Sequence, residues 1–538
     1  MQPKAQPLRP AVPPALRLSD AAACAGLRPS AIPAAWDQVV LTGVTLDSRT
    51  VRPGELYAAL PGASAHGADF AGQAVAAGAS AVLTDPAGEQ RLRRSGQADG
   101  IPVISVPDPR GVLGAVAAAV QGHPGSDLLL LGVTGTNGKT TTAYLLDSAL
   151  RALGRTTGLL GTVETRIAGE RWPSVRTTPE STDVHALLAV MRERGVEACT
   201  MEVSSHALAL HRVDGLVFDV AGFTNLSQDH LDFHGTMEQY YAAKAELFTP
   251  LRSRRGVVCV DDAWGERLAR AASVPVETVA SAADVGADWW LDPAAPGDPA
   301  FMLRSSSGGP VLALRSALPG EFNRVNTALA AVMLLACDIP ATAVATALRA
   351  DPHVPGRMER VDAGLPGQPL AIVDFAHTAE AVASALSALR SLTTGRLVVV
   401  LGAGGDRDRG KRPQMGRAAF EHADAVVITD DNPRSEDPAA IRAELLAGMP
   451  AGVAAGMPAG TSAPGEGVVL EVAGRAEAIR RAVGLTQGPQ DTVVVVGKGH
   501  ETGQEVAGVV HPFEDRAELR AALDERRLDL LPRAEPAS

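Results

Sequence analysis

Gly135-Thr136-Asn137-Gly138-Lys139-Thr140-Thr141 is the stretch whose residue types most directly point to chemistry. Its glycines let backbone N–H groups approach phosphate oxygens closely, and a helix starting at its end would add a positive dipole end. Lys139 can neutralise β/γ-phosphate charge, and the Thr140 hydroxyl can sit on Mg²⁺. The fit to the general G-x-x-x-x-G-K-[ST] pattern is imperfect, because Val133 stands where its first glycine belongs and Gly132 lies one residue early. Read alone, the loop implies a nucleoside triphosphate site or an ordinary glycine turn between a strand and a helix.

Further polar clusters follow short apolar runs. Glu202-Val203-Ser204-Ser205-His206 comes after Cys199–Met201, and Asn225–Asp232 comes after Val220–Phe223. A hard cation beside a triphosphate takes oxygen ligands, so Glu202 is a candidate for Mg²⁺. Taken singly, such a carboxylate also caps helices or forms salt bridges, and His230 alone also reads as a structural histidine. Nearer the C-terminus, four apolar strands end in Asp374-Phe375-Ala376-His377, Gly402–Asp408, Asp430–Arg434 and Gly497–Glu501. In doubly wound sheets ligands bind beyond the carboxyl ends of the strands, so these clusters are expected to converge.

These groups need elements to hold them. Asp127–Gly132 reads as a buried strand, and the apolar spacing of Leu146, Ala149, Leu150 and Leu153 predicts a helix over 140–153. Strand, glycine loop, helix is the setting that makes a phosphate loop credible. The 538 residues suggest about three domains. The expected division is a disordered lead-in over 1–17, then domains over 18–124, 125–352 and 353–538. His123-Pro124-Gly125-Ser126 reads as a linker, and 448–466 as a low-complexity surface loop.

The excess of 61 Asp+Glu over 49 Lys+Arg argues against a general nucleic-acid binder, so anionic ligands must be held by local devices. Cys24, Cys199, Cys259 and Cys337 are scattered, which fits neither a disulfide framework nor a zinc site. The expected setting is the cytoplasm, with no membrane span.

Several motifs stand in order: Thr45–Arg49 (TLDSR), the loop at 135–141, Glu202–Leu208 (EVSSHAL), Phe223–Lys244, Pro355–Val361 (PGRMERV), Gly405–Met415 (GDRDRGKRPQM), Asp431–Arg434 (DNPR) and Gly497–Glu501 (GKGHE). Together they resemble the Mur ligase family, and within it the UDP-N-acetylmuramoyl-tripeptide synthetases. The resemblance spans nearly the whole chain. It implies an α/β protein with an N-terminal uridine-nucleotide domain, a central P-loop ATPase-like parallel sheet and a C-terminal Rossmann-like domain. It implies an ATP-dependent amide-forming ligase that adds a diamino acid to UDP-MurNAc-L-Ala-D-Glu through an acyl phosphate. ATP and Mg²⁺ are the implied cofactors, and a monomer is expected.

Residue by residue, the resemblance implies that Leu46 and Ser48 contact the nucleotide end, with Ala63-Ser64-Ala65 at another contact. Thr177, Thr178, Ser204 and Arg212 match muramoyl-peptide contacts. Gly135, Thr136, Asn137, Gly138, Lys139, Thr140 and Thr141 take ATP phosphates. Asn323, Asn326, Arg357 and Asp374 match positions around adenine and ribose. Thr140, Glu202, His230 and a carbamylated Lys244 are the implied metal ligands, and Lys139, Glu202, His230 and Lys244 the catalytic set. Arg407, Asp431, Asn432, Pro433, Arg434, Gly497 and Glu501 match the amino-acid pocket. The DNPR form is associated with meso-diaminopimelate, since Arg434 can take a distal carboxylate that L-ornithine and L-lysine lack. Ala379 and Glu380 replace the usual proline and aspartate, which leaves the local helix start open. Folylpolyglutamate synthetase, which shares the loop, and a non-catalytic Mur-like subunit are the competing readings.

Overall fold

The computed structural model describes residues 8–13, 15–62, 64–295, 297–362, 367–450 and 468–530. Ala63 and nearly all of the 448–466 loop lie outside the described residues.

Three sheets with α-helices packed on them organise the chain. The first is fully parallel, in the order Gly43–Thr45, Glu55–Ala58, Ala81–Thr84, Val103–Ser105. Its strands are short apolar runs, buried on both faces. The helix Pro109–Val120 closes this unit. Asp108 caps it by accepting from the Gly111 N–H, and Pro109 sits where a missing N–H costs nothing.

The central sheet has 11 strands. From Thr157–Leu160 through Ala198–Glu202, Leu129–Thr134, Phe218–Phe223, Ser253–Cys259 and Val276–Ala280 to Trp289–Leu291 every pairing is parallel. Antiparallel hairpins extend both margins: Glu164–Ile167 with Glu170–Pro173, and Ala300–Ser305 with Leu312–Arg315. The expected parallel sheet is therefore its core, and the sheet as a whole is mixed. The helix Lys139–Ala152 follows the phosphate-loop strand directly, as the spacing predicts.

The C-terminal sheet runs Glu359–Arg360, Leu370–Asp374, Thr492–Val496, Leu397–Leu401, Ala425–Ile428, Val468–Glu471, with only the first pairing antiparallel. Asp374 and Leu401 both register with Val496, and Leu401 with Ile428. The four polar clusters thus leave one edge of the sheet, as expected. The helix start left open by sequence is Ala379, with Thr378 as its cap.

Part of the expected lead-in is structured. Leu16–Arg17 pairs with Val40–Leu41, Leu8 packs on the central core, and the Ala11 and Val12 N–H groups donate to Glu193. The buried Arg9 guanidinium reaches Glu55 at 3.5 Å and Asp183 at 3.3 Å, so it spans the first and central units. Residues 1–7 lie outside the described residues. The expected linker is likewise a packed turn, Pro124–Asp127, with Pro124 buried.

Candidate active site

The sheet registers explain the geometry. Glu202 pairs with Val133 and Phe223 with Thr134, so both neighbouring strands end level with the phosphate loop. The loop is framed from the side of Thr224 and Asn225. Asn225 accepts from the Thr136 N–H through its carbonyl and from the Asn137 N–H through its side chain, both at 2.9 Å, and Thr224 donates to the Asn137 carbonyl at 2.5 Å. Gly135 (φ 144°) and Gly138 (φ 86°) cannot carry side chains. A Cβ at Gly135 would lie 1.9 Å from Thr224 Oγ1, and one at Gly138 2.5 Å from Asn326 Oδ1.

Thr141 lies buried in the first turn of that helix, where N–H groups have no intrahelical partner. Lys139 Nζ lies along the loop, donating to the carbonyls of Gly135 (2.9 Å) and Thr136 (2.8 Å). Burial lowers its pKa, and Glu202 works in the opposite direction. Thr140 donates to Glu202 at 2.8 Å, and the fully buried Glu202 also accepts from the Thr162 N–H (2.7 Å) and hydroxyl (3.0 Å). A hydroxyl and a carboxylate in contact at a phosphate loop are the oxygen donors Mg²⁺ takes beside phosphates and water. Among the described residues no group of three His, Cys, Asp or Glu side chains is placed to hold a metal ion.

His230 adopts a left-handed backbone conformation (φ 54°), its ring 4.9 Å from that of His206 and 6.2 Å from that of Tyr240. Burial lowers its pKa, with Asp229 opposing, so the neutral ligand form is favoured. Lys244 is 1% exposed, with its ammonium 4.6 Å from the Tyr240 ring centroid and 2.7 Å from the Gly135 carbonyl. Its amine is pushed well below the lysine range by burial, then by Lys139.

Asn323 and Asn326 lie buried behind the loop on the helix Glu321–Leu335. Asn326 donates to Asn323 at 3.2 Å, and Asn323 donates to the Pro319 carbonyl at 2.6 Å. Arg357 lies over the Phe375 ring at 4.3 Å and donates to Thr140 at 3.2 Å. Asp374 accepts from the Met358 (2.7 Å) and Ala376 (2.8 Å) N–H groups, which ties the PGRM turn to its strand. Burial raises its pKa, against the pull of Arg357.

On the other side of Glu202, Thr177 accepts from Thr162 at 3.1 Å, and Thr178 donates to the Glu202 carbonyl at 2.8 Å. Ser204 caps the short helix after it, accepting from the Ala207 N–H. Arg212 bridges Glu180 (3.1 Å) and the Thr178 carbonyl (3.3 Å), with Arg176 and Arg110 on the same Glu180 carboxylate. Three guanidinium groups around one carboxylate leave a local positive excess suited to an anion. Leu46 and Ser48 lie in the first unit just past Gly43–Thr45, where Ser48 donates to Gln73 at 3.0 Å.

The amino-acid residues gather at the C-terminal sheet edge. Arg434 and Arg407 both border Gly404, where a Cβ would lie 2.9 Å from Arg434 Nη1 and 3.9 Å from Arg407 Cγ. Gly405 N–H donates to the Asn432 carbonyl, and a Cβ at Gly405 would meet the Pro433 carbonyl oxygen. Gly497 borders Asp431. Glu501 accepts from Asn432 (2.7 Å) and from the fully buried Lys498 (3.0 Å).

Asp229, Lys411, Thr162 and Lys498 were not singled out by sequence reasoning. Asp229, 7% exposed, has His230 at 3.6 Å, His377 at 3.7 Å and Lys411 at 3.6 Å. Burial raises its pKa, but these groups outweigh it and hold the carboxylate well below its usual range. Asp229, Lys411 and Lys498 sit inside the motifs quoted above; Thr162 carries no signal in the sequence.

Family models match three stretches: "Mur ligase family, catalytic domain" over 40–121, "Mur ligase middle domain" over 133–334 and "Mur ligase, glutamate ligase domain" over 356–499. The chain is 53% identical over 487 residues to the UDP-N-acetylmuramoyl-L-alanyl-D-glutamate–2,6-diaminopimelate ligase of Streptomyces avermitilis, covering 90% of this chain and 93% of that one. A solved structure of a ligase with the same name superposes with a TM-score of 0.62 at 30% identity, covering 95% of this chain and 99% of that one. A Mycobacterium tuberculosis folylpolyglutamate synthase shares the fold, with a TM-score of 0.56 at 20% identity over 71% of this chain and 91% of that one.

Proposed function

The chain belongs to the Mur ligase family of ATP-dependent ligases, and we propose that it joins meso-diaminopimelate to UDP-N-acetylmuramoyl-L-alanyl-D-glutamate in the cytoplasm, for peptidoglycan synthesis. The observation that carries the choice of amino acid is the Arg434 guanidinium at Gly404, with the stem of Arg407 bordering the same glycine; a substrate with two carboxylates calls for a guanidinium at each.

A carboxylate is a poor electrophile, and oxide is a poor leaving group. The D-glutamate carboxylate of the substrate therefore attacks the γ-phosphate of ATP, giving an acyl phosphate and ADP. The amine of the incoming amino acid then attacks the acyl carbon, and phosphate leaves. The first step joins two anions, so catalysis rests on positioning and charge neutralisation. Lys139 and the helix N-terminus hold the ATP phosphates. Thr140 and Glu202 would hold one Mg²⁺, and His230 with a carbamylated Lys244 a second. When bound, these ions screen the repulsion between carboxylate and phosphate. Arg212, with Arg176 and Arg110, orients the anionic peptide end of the substrate.

The test is phosphate release from ATP with UDP-MurNAc-L-Ala-D-Glu and competing amines. Release that depends on meso-diaminopimelate is expected. Preference for L-lysine or L-ornithine would overturn the choice of amino acid, and release with folates or none at all would overturn the ligase reading.

A further inference from the structure

Before the chain enters the first unit, it lies on the central one. Leu8 packs against the central core, and the Ala11 and Val12 N–H groups donate to the Glu193 carboxylate at 2.8 and 2.9 Å. Glu193 ends the helix Ser181–Glu193, and Asp183 stands in its first turn. Arg9 reaches Asp183, so residues 8–12 touch both ends of that helix. The first unit then begins, with Leu16–Arg17 paired to Val40–Leu41. The chain returns to the central unit through Pro124–Asp127, and the first unit is thereby held at both of its ends.

Arg9 gives this contact a fixed geometry. Its side chain is 5% exposed, with Nε 3.5 Å from Glu55 and Nη1 3.3 Å from Asp183. A planar guanidinium holds two carboxylates in set directions, which apolar packing would not do. Each carboxylate adjoins a part of the site. Glu55 pairs with Gly43, the first residue of the strand that runs into Leu46 and Ser48 at the nucleotide end. The Asp183 N–H donates to the carbonyl of Glu180 at 2.9 Å, and the Glu180 carboxylate meets Arg212 and, from the first unit, Arg110. Thr177 and Thr178, at the peptide end, lie just before Glu180. Arg9 thus connects the two stretches that would receive opposite ends of one molecule. A ligand held by two units gains affinity from the second contact only insofar as the units already stand at the right spacing.

We propose that Arg9 is a positioning residue for the UDP-linked dipeptide: residues 8–12 form a strap, keyed by Arg9 between Glu55 and Asp183, that sets the spacing of the first and central units so that one substrate engages both. This rests on the UDP-linked dipeptide being the substrate, as read above. The probes are UDP, which would engage the first unit alone, and UDP-MurNAc-L-Ala-D-Glu, which would span both, each titrated calorimetrically into the full chain. Wild type is expected to bind the dipeptide form at least about tenfold more tightly than UDP. Arg9→Met is expected to weaken the dipeptide form about tenfold, to leave UDP within about twofold, and to raise KM for the dipeptide form while kcat at saturation holds. Arg9→Lys, which keeps the charge, is expected to lose less. Glu193→Ala releases the other end of the strap without touching the buried ion pairs, and it is expected to weaken the dipeptide form about threefold with UDP unchanged. Equal weakening of both ligands in Arg9→Met means that Arg9 only stabilises the first unit, and it overturns the proposal; so does an unchanged affinity for the dipeptide form. Should Arg9→Met not fold, Glu193→Ala decides by the same two criteria. A wild type that binds UDP and the dipeptide form equally overturns the substrate reading together with this one.

Discussion

Lys244 carries a chemical demand that its type does not announce. Its amine is 1% exposed, donates to the Gly135 carbonyl and lies over the Tyr240 ring. Burial, and then Lys139, favour the neutral form, with Asp229 opposing. A neutral amine is the form that adds to carbon dioxide, giving a carbamate and releasing a proton. The product is an anion beside a phosphate loop, suited to a hard cation. Arginine stays charged and cannot follow this route. Lys244→Arg should therefore lower kcat by about 100-fold, on the scale of losing one electrostatic contributor, while UDP-substrate binding persists. A kcat within a fewfold of wild type would end the carbamate reading. Sequence offered a partial signal here: Lys244 lies four residues after Tyr240, on the face that Tyr240 buries. Burial itself depends on contacts from distant loops, which residue spacing does not encode. Asp229 was harder to pick out, because its importance comes from His377 and Lys411, which arrive from another sheet.

Elements were the most legible level, since strands with apolar runs and helices with regular spacing declare themselves locally. The phosphate-loop strand and its helix matched within a residue or two. The antiparallel hairpins at both margins of the central sheet were not read: Glu170–Pro173 is mostly exposed, and the alternation of Ala300–Ser305 with the Ser-Gly-Gly-Pro turn after it was a signal left unused. The helix Ser181–Glu193 shows what an apolar face can hide. His185 is fully buried on it and bonds the Asp214 carbonyl at 2.9 Å. Burial pushes its pKa down to about 4. As pH falls through about 6.5 the unfolded chain gains a proton that the folded chain refuses until about 4. Stability from this site is thus complete above pH 6.5 and declines between 6.5 and 4, by about 3 kcal/mol over the window. From pH 7 to pH 5 the loss should be about 2 kcal/mol. His185→Gln should remove this component, so its melting temperature should fall less than that of wild type over the same interval. Equal acid shifts in the two proteins would contradict the assignment.

At the scale of the whole chain the site exists only where units meet. Lys139, Glu202 and Lys244 belong to the central sheet, whereas Arg357, Asp374, Arg407 and Arg434 come from the C-terminal one. The motifs could be listed from sequence, but their convergence depends on how the sheets face each other, and no local pattern reports that. The N-terminal segment makes the same point: Arg9 looked like part of a disordered lead-in, yet it holds Glu55 and Asp183 together. Between the central and C-terminal units an apolar contact, Phe322 of the helix Glu321–Leu335 against the C-terminal core, stands beside several polar ones. Arg357 reaches Thr140, Gln228 lies 3.4 Å from Asp408, and Asp229 meets His377 and Lys411. Interfaces between units of one chain permit relative motion unless they are large and hydrophobic. Since Arg357 reaches across to Thr140 at the phosphate loop, ligand binding and domain approach should be coupled. Asp229 is the charge on which that approach turns, because it is the central-unit carboxylate that His377 and Lys411 of the C-terminal unit meet. Asp229→Asn should lower kcat/KM about tenfold and weaken the compaction that small-angle scattering registers when wild type takes up an ATP analogue with the UDP-linked dipeptide. If wild type does not compact under those conditions, closure is wrong and Asp229 acts only within the central unit. If the variant compacts as fully as wild type, the carboxylate is dispensable to closure and the coupling runs through Arg357 and Thr140.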